Sequence, residues 1–192
     1  MNKKDSKLKE FRDKLVANRR VVCTGNPNNP ATLAHGIKKI FPSTTFIHRT
    51  AGWDLTNMSA DTISRLTSLF KNHNTFINAS YIAPNIQENL LDICNQSVKF
   101  CDVFNIGSTH EFDELGTVEY KNSKLSLREK SLGLHTYRFK THHLMLGGIK
   151  TNDNAENQDF LNIDEICNII PWILDQSFNI PLICIQQPKL PW

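Results

Sequence analysis

The strongest constraint on the fold is the alternation, from residue 21 onward, of short apolar runs with longer segments whose apolar residues recur at helical spacing. The runs predict strands at 21–24, 45–47, 53–55, 75–79, 100–106, 142–146 and 181–185. The longer segments predict helices at 31–41, 59–72, 85–97, 118–139 and 163–176. Strands that alternate with helices indicate βαβ units, and right-handed crossovers place helices on both faces of a parallel sheet. The expected fold is therefore a single α/β domain, a doubly wound parallel sheet in three αβα layers.

Charge divides the 192-residue chain into a body and a basic beginning. Residues 1–20 hold eight basic and three acidic residues, a net charge of +5, which leaves 14 basic and 16 acidic residues elsewhere, a net of −2. Apolar residues recur at helical spacing within the basic segment, so a helical appendage is predicted at 1–20. The expected domain covers 21–187, and prolines keep the tail at 188–192 out of any helix.

Charge, hydropathy and cysteine usage exclude several classes of protein. A body with a net negative charge does not predict a nucleic-acid-binding face. No run approaches the 18 apolar residues of a membrane span, and the charged beginning lacks the apolar core of a secretory signal. The five scattered cysteines fall mostly in apolar runs. They predict reduced, buried thiols in a cytoplasmic protein, with neither disulfides nor a metal site.

The first predicted strand leads directly into a helix through residues 24–31. A turn of this kind points backbone N–H groups and the positive end of a helix at any anion above the strand. Pro30 suits the first turn of a helix, where its missing N–H costs nothing. A dinucleotide-binding turn usually has three glycines, and only Gly25 is present here. Taken alone, the segment is more simply explained as an ordinary strand–helix connection.

A stronger signal is the pair Tyr120 and Lys124 near the beginning of the long predicted helix. A separation of four residues places both side chains on one face of a helix. A lysine ammonium about 4 Å from a tyrosine contributes about 4 kcal/mol at an effective dielectric of about 20. That energy would lower the tyrosine pKa by up to about 3 from its ordinary value near 10. The pair therefore predicts an acid–base tyrosine, although an isolated match is more often an exposed surface pair.

The order of motifs along the chain resembles that of the short-chain dehydrogenase/reductase family, over about residues 20–187. After the strand–Thr24–Gly25–helix turn come Asn78–Ala79, then 105–108, then the Tyr120/Lys124 pair, then 147–151. In that family these segments are the glycine-rich turn, the NAG segment, the catalytic serine, the YxxxK pair and the PG-x-x-T segment. The resemblance implies a Rossmann-type NAD(P)-binding domain and identifies the chain as a shortened, partly degenerate member.

The resemblance implies a catalytic role for four residues. Tyr120 would exchange a proton with the substrate oxygen, and Lys124 would lower the tyrosine pKa and hold the nicotinamide ribose. Ser108 would hydrogen-bond the substrate carbonyl or hydroxyl, although the spacing of the family places its serine one residue earlier, where this chain has Gly107. Asn85 is the favoured counterpart of the family's helix asparagine.

Several positions depart from the family pattern. The second and third glycines of the turn are Asn29 and Ala31 here, and the glycine of the NAG segment is Ser80. Asn89 is the alternative to Asn85 as the helix asparagine. Extra side chains in the turn would push the pyrophosphate outward or weaken its binding.

The resemblance also implies a site for a nicotinamide dinucleotide. Where NAD enzymes keep an acid for the ribose 2′-hydroxyl, the chain has His48 and Arg49, and an arginine suits a 2′-phosphate. NADP is therefore favoured, with NAD possible. The implied cofactor contacts are Thr24, Gly25, Asn26, Asn28, Asn29 and Ala31 at the pyrophosphate, His48, Arg49, Asp54, Leu55, Asn78 and Ala79 at the adenosine, and Gly148, Ile149 and Thr151 with Tyr120 and Lys124 at the nicotinamide.

Other polar and aromatic residues are assigned no catalytic role. His142 and His143 are adjacent in a predicted strand, so their rings point to opposite faces and cannot share a metal. His110, Glu111, Asp113 and Glu114 follow Ser108 and would rim the mouth of the active site, either against a polar substrate or as a solvated loop. Trp172 is expected in the core.

The expected function is NADP-dependent hydride transfer to or from a small-molecule carbonyl or alcohol, with Tyr120 as acid–base. Two alternatives stay open. The helix at 85–97, with Leu90–Asp92, resembles the nucleotide-sugar epimerase and dehydratase branch, and the missing glycines favour a catalytically degenerate dinucleotide-binding module. A homodimer or homotetramer is expected, because the family usually pairs its fourth and fifth helices. No metal, nucleic acid or membrane partner is expected.

Overall fold

The computed structural model describes residues 14–111, 117–149 and 160–186. Of the predicted basic appendage, residues 14–17 are helical. Residues 18–20 are not helical, and residues 1–13 of that predicted helix, Asp113, Glu114, Thr151 and the tail at 188–192 lie outside the described residues. No helix in the described ranges is long and apolar enough to cross a bilayer.

Six strands form one sheet in which every neighbouring pair is parallel. The strands are β1 (Val21–Thr24), β2 (Thr45–Ile47), β3 (Thr75–Asn78), β4 (Cys101–Ser108), β5 (Phe139–Leu146) and β6 (Leu182–Ile185). Their order across the sheet is β2-β1-β3-β4-β5-β6, so the chain reverses its direction of winding on either side of β1. Ligands of open α/β sheets bind at such a switch point, outside the carboxyl ends of the strands.

Five helices connect the strands: α1 (Leu33–Ile40), α2 (Ala60–Lys71), α3 (Ile86–Ser97), α4 (Val118–Leu134) and α5 (Ile163–Leu174). Four of them begin at a polar side chain that accepts a backbone N–H of the first turn, the preferred chemistry of a helix start. These capping residues are Thr32, Ser59, Thr117 and Asn162.

Two apolar clusters cover the two faces of the sheet. In β1, Val21 and Cys23 join one cluster and Val22 joins the other, as the alternation of side chains along a strand requires. The first cluster includes Ala34 and Ile37 of α1 with Ile166, Cys167, Ile170 and Ile173 of α5. The second includes Leu66 and Phe70 of α2, Leu90 and Leu91 of α3, and Leu127 of α4. The predicted doubly wound αβα domain is therefore confirmed.

The predicted strand at 53–55 is wrong. Gly52 adopts φ +80° after a short 3₁₀ turn at Arg49–Ala51, which reverses the chain. The Asp54 side chain then accepts the N–H of Thr56 and closes a second turn. Local side-chain bonding of this kind competes with pairing in a sheet.

The predicted helix at 118–139 is too long, because α4 ends at Leu134 and β5 begins at Phe139. Thr136 Oγ1 accepts the N–H groups of Arg138 and Phe139, which makes a turn between the two elements. β5 therefore begins earlier than the predicted strand. It pairs with β4 over eight residues and forms the longest ladder of the sheet.

Trp172 is not in the core, since 49% of its surface is exposed. The residues of α5 that face the sheet are Ile166, Ile170 and Ile173, and the helical period places residue 172 on another side. The thiols behave largely as predicted: Cys23, Cys94, Cys101 and Cys167 are buried, whereas Cys184 is exposed on the edge strand β6.

Candidate active site

The predicted site residues lie along the carboxyl edge of the sheet, where β1, β3, β4 and β5 end side by side. Two pockets open there. One, of about 290 Å³, lies above β4 and β5, and the other, of about 220 Å³, lies beside β1 and β2.

Ser108, Tyr120 and Lys124 line the larger pocket together. Ser108 is the last residue of β4, whereas Tyr120 and Lys124 belong to the first turns of α4. Ala79 and Ile149, both predicted cofactor contacts, line the same pocket from the ends of β3 and β5. The fold thus brings five of the predicted residues to one place.

Lys124 is anchored below this pocket. It is 2% exposed and donates from Nζ to Oε1 of Gln87 at 2.6 Å and to the carbonyl oxygen of Ile106 at 2.7 Å. Burial lowers the pKa of Lys124 to about 8, although the negative charges of Glu111 and Glu88 oppose the change. A proton on Lys124 is therefore exchangeable in the neutral to mildly alkaline range.

Tyr120 is half-buried, and its ring packs edge-to-face on Tyr81 at 4.9 Å. Burial raises the pKa of Tyr120; a hydrogen bond with the Ser108 side chain opposes the rise, and the charge of Glu111 adds to it. The expected lowering of this pKa by Lys124 is wrong for this structure. Lys124 Nζ lies 5.6 Å from the centre of the tyrosine ring, and it donates to Gln87 and to the backbone instead.

Gln87 is a site residue that sequence reasoning missed. Its Nε2 donates to the carbonyl oxygen of Asn78 at 2.8 Å, and Asn78 Nδ2 donates back to the carbonyl oxygen of Gln87 at 2.9 Å. This reciprocal pair ties α3 to the end of β3 and aims Gln87 Oε1 at Lys124. The sequence gives no signal for this contact, because polar residues between Ile86 and Leu90 are ordinary in an amphipathic helix.

Asn85, the favoured helix asparagine, lies elsewhere. It precedes α3 with φ +64°, and its side chain does not cap the helix. It lines a groove with Pro84, Val118, Glu119 and other residues of α4, separate from the pocket of Tyr120. The structure therefore brings Gln87, and not Asn85, into contact with Lys124.

The side chain of Asn78, predicted to lie beside the adenosine, is fully buried. Its Nδ2 also donates to Oδ1 of Asn105 at 3.0 Å, and Asn105 Nδ2 donates to Oγ of Ser131 at 3.0 Å. This chain of hydrogen bonds joins β3 and β4 to α4. Asn78 therefore contributes to the interior that supports the site.

Thr24 and Gly25 shape the end of β1. The Thr24 hydroxyl, fully buried, accepts the N–H groups of Ala79 and Ser80 at 2.8 and 2.9 Å and so joins the ends of β1 and β3. Gly25 adopts φ +122°, and a Cβ there would lie 2.8 Å from Ser80 Oγ and 3.0 Å from Ala34 Cβ. Both the backbone angle and the close approach require glycine.

The N–H groups expected to face the pyrophosphate are partly occupied within the turn itself. Asn26 Oδ1 accepts the N–H of Asn28 at 3.0 Å, and Asn29 Oδ1 accepts the N–H of Ala31 at 3.0 Å. Two of the N–H groups expected to face the pyrophosphate are therefore occupied by asparagine side chains in this structure. An anion would have to displace the two side chains to reach these N–H groups.

The smaller pocket gathers the residues predicted for the adenosine and its 2′ position. Four of them line it, His48, Arg49, Asp54 and Leu55, and Gly25 of the predicted pyrophosphate turn lines it as well. Leu55 is buried at the base, and Trp53, which also lines the pocket, is stacked beneath the Arg65 guanidinium at 4.3 Å.

Charged groups at the mouth of this pocket are exposed. A hydrogen bond from the Thr56 side chain is the main cause that lowers the pKa of Asp54, and the charge of Arg49 adds to it. His48 shares a hydrogen bond of 2.8 Å with the Thr50 hydroxyl. Arg49 therefore lies close enough to Asp54 for its positive charge to lower the Asp54 pKa, and the Arg49 side chain is exposed to solvent.

Gly148 and Ile149, predicted beside the nicotinamide, follow the end of β5. A Cβ at Gly148 would lie 2.5 Å from the Phe160 ring, so the ring is packed directly against the backbone. Ile149 forms an isolated parallel bridge with Leu161. Across the described residues, no group of three or more His, Cys, Asp or Glu side chains is placed to hold a metal ion.

No family model matches the sequence, and no curated protein matches it. Solved structures match by fold. A short-chain dehydrogenase/reductase, a glucose/ribitol dehydrogenase from Brucella melitensis, gives a TM-score of 0.66 at 15% identity, over 87% of this chain and 94% of that chain. The chain has the fold of the short-chain dehydrogenases/reductases.

Two further structures extend this comparison. A short-chain dehydrogenase from Burkholderia cenocepacia, solved in complex with NADP, gives a TM-score of 0.65 at 13% identity, over 86% of this chain and 87% of that chain. An acetoin dehydrogenase from Salmonella typhimurium gives 0.61 at 13% identity, over 87% of this chain and 95% of that chain. The Rossmann-type short-chain dehydrogenase fold implied by the sequence is thus confirmed.

Proposed function

We propose that the protein is an NAD(P)-dependent oxidoreductase that acts on a small-molecule carbonyl or alcohol. The observation that carries the proposal is the convergence of Ser108, Tyr120 and Lys124 on one pocket at the carboxyl edge of the sheet. A hydroxyl, a phenol and an ammonium that line one pocket are the groups that acid–base chemistry at a substrate oxygen requires. The NADP complex of the Burkholderia protein supports a nicotinamide dinucleotide as the cofactor.

The residues present fit such a cofactor at both of its ends. Gly25 lines the pocket beside β1, which has the buried Leu55 in its lining and the exposed Arg49 at its mouth. Ala79 and Ile149 border the other pocket, next to Tyr120. The fit is poorest at the pyrophosphate turn, where Asn26 and Asn29 must release backbone N–H groups.

In this proposal each residue has one task. Tyr120 moves a proton at the substrate oxygen, and Ser108 orients that oxygen with its hydroxyl. Lys124 presents its ammonium to the nicotinamide ribose hydroxyls, and Gln87 and Ile106 hold it in place. When bound, the nicotinamide supplies or accepts the hydride. NADP rather than NAD is proposed because a guanidinium at residue 49 pairs well with a 2′-phosphate.

The test uses the purified full chain. At a ligand concentration 100 times its Kd, NADPH should stabilise the fold by about 2.7 kcal/mol, visible as a rise in Tm. With a panel of aldehydes and ketones, Tyr120→Phe should lower NADPH oxidation by about 10²–10⁴-fold while the rise in Tm persists. Tyr137→Phe, a change at a tyrosine that is 69% exposed, is the matched control. If neither NADPH nor NADH raises Tm, the proposal is overturned.

The closed turn favours a second candidate, a binding module without catalysis. Asparagine side chains that occupy the anion donors are compatible with weak or regulatory dinucleotide binding. This candidate predicts that dinucleotide raises Tm while no carbonyl or alcohol in the panel is turned over. A homodimer or homotetramer and a cytoplasmic location stay predictions, testable by light scattering and by imaging of the tagged full chain.

A further inference from the structure

A buried acid–histidine pair lies beneath the active-site pocket. The side chains of Glu111 and His143 are both 0% exposed, and His143 Nε2 lies 3.1 Å from Glu111 Oε1. The same oxygen accepts the N–H of Ser108 at 3.2 Å, and Arg128 Nη1 lies 3.3 Å from Oε2. The Glu111 carboxylate is therefore held at once by the Ser108 backbone, the His143 ring and the Arg128 guanidinium. The sequence-based prediction that Glu111 rims the pocket mouth is therefore wrong.

The pair fills the space that a side chain at position 107 would take. A Cβ built on Gly107 would overlap His143 Nε2 and lie 2.7 Å from Glu111 Oε1. His143 comes from β5, where it is paired with Asn105 of β4, so its ring crosses to the neighbouring strand. This packing explains why the hydroxyl of the site is on Ser108 and not on residue 107.

Several charged or titratable groups surround Tyr120. Among the acids, Glu111 is the one whose charge raises the Tyr120 pKa. Tyr81 reaches it from the loop after β3, and His110 lines the same pocket. Lys124 lies below the ring, and Glu88 of α3 lies behind Lys124. Burial and the charge of Glu111 both favour the protonated phenol of Tyr120.

We propose that Glu111 and His143 are positioning residues of this site: His143 holds the Glu111 carboxylate, and Glu111 holds the Ser108 backbone and sets its charge beside Tyr120. The inference rests on the proposed oxidoreductase function. Carbonyl reduction consumes one hydride, which the reduced dinucleotide supplies to the carbonyl carbon. It also consumes one proton, which moves from the Tyr120 hydroxyl to the oxygen as the C=O π bond breaks and which solvent then replaces.

The test follows the ionisation of Tyr120 directly, without cofactor or substrate. The chain has three tyrosines, so ¹³Cζ-tyrosine labelling gives three NMR signals that single Tyr→Phe variants assign. In the unmodified chain, Tyr120 should titrate at higher pH than the exposed Tyr137. In Glu111→Gln, which keeps an oxygen for the Ser108 N–H but removes the charge, Tyr120 should titrate at lower pH than in the unmodified chain.

The matched control is Glu119→Gln, which removes an equal charge from an exposed position next to Tyr120 in sequence. It should leave the Tyr120 titration unchanged. A Tyr120 that titrates with or below Tyr137 in the unmodified chain overturns the inference even if Glu111→Gln does not fold. A Glu111→Gln shift no larger than that of Glu119→Gln also overturns it. Either result leaves NADPH binding and turnover, and hence the proposed function, intact.

His143 fills the space that a side chain at position 107 would need, and a substitution at that position tests this role. Gly107→Ala should lower Tm in the unmodified chain and should lower it less in a His143→Ala background, where Glu111 Oε1 is the remaining close atom, a coupling that a double-mutant cycle measures. Gly133→Ala is the control, because a Cβ there meets nothing within 4 Å. An equal loss of Tm from Gly107→Ala in both backgrounds would show that His143 does not fill this space.

Discussion

Two regions of the carboxyl edge differ in how far along the chain their polar groups find hydrogen-bond partners. Lys124 is held by acceptors 37 and 18 residues away, on α3 and β4. In the turn after β1, Asn26 and Asn29 bind N–H groups only two residues away. Contacts between distant elements exist only when the whole sheet has formed, whereas the turn can close by itself. The pocket of Tyr120 and Lys124 therefore depends on the global fold, and the turn after β1 depends on its own composition.

Of the substitutions that compare the two regions, one at Lys124 is expected to have the largest effect. Lys124→Met should lower turnover by at least about 10²-fold, because the ammonium is lost from the pocket. It should also change how stability depends on pH. With a pKa near 8 in the folded state and 10.5 as its ordinary value, Lys124 binds a proton more readily when unfolded. The free energy of unfolding should therefore rise with pH between these values, by on the order of 3 kcal/mol.

Urea titrations of the unmodified chain and of Lys124→Met at several pH values measure this contribution as a difference. The exposed Lys121, three residues earlier in α4, gives the control variant Lys121→Met. Parallel pH dependence in the unmodified chain and Lys124→Met would show that the burial of Lys124 does not control its proton.

A smaller effect is expected at the pocket beside β1. Arg49→Gln should weaken NADPH binding by about tenfold and leave NADH binding unchanged, since a charged pair with a phosphate contributes about 1.5–3 kcal/mol and exposure reduces it. Arg65→Gln is the control, because that guanidinium stacks on Trp53 beside the same pocket. Equal weakening of NADPH and NADH by Arg49→Gln would remove the basis for preferring NADP.

The smallest effect is expected in the turn. Asn29→Gly frees the N–H of Ala31 for an anion, so NADPH should bind severalfold more tightly, by about 1 kcal/mol for one hydrogen bond. Asn28→Gly, which leaves both asparagine acceptors in place, should not tighten binding. If the unmodified chain and both variants bind NADPH with equal affinity, the asparagine side chains leave these N–H groups at no cost in free energy.

Much of the fold is predictable from hydrophobic periodicity, because strands and helices that bury apolar residues carry them at a regular spacing in the sequence. β1, β2 and all five helix positions are predictable in this way. The strand predicted at 53–55 fails because Gly52 and Asp54 form turns that hydropathy does not detect. The site is harder, since Gln87 and Glu111 act through partners on other elements. Their polar character is visible in the sequence, but their burial is not.

The packing of His143 under Gly107 has a consequence for how this chain can change over evolutionary time. A side chain at position 107 and the imidazole at 143 exclude each other. A hydroxyl can therefore be gained at residue 107 only together with a second exchange at residue 143. The order matters: loss of the imidazole first opens a space that the second change can occupy, whereas the reverse order passes through an overpacked intermediate. The pair thus constrains which single-step variants remain viable.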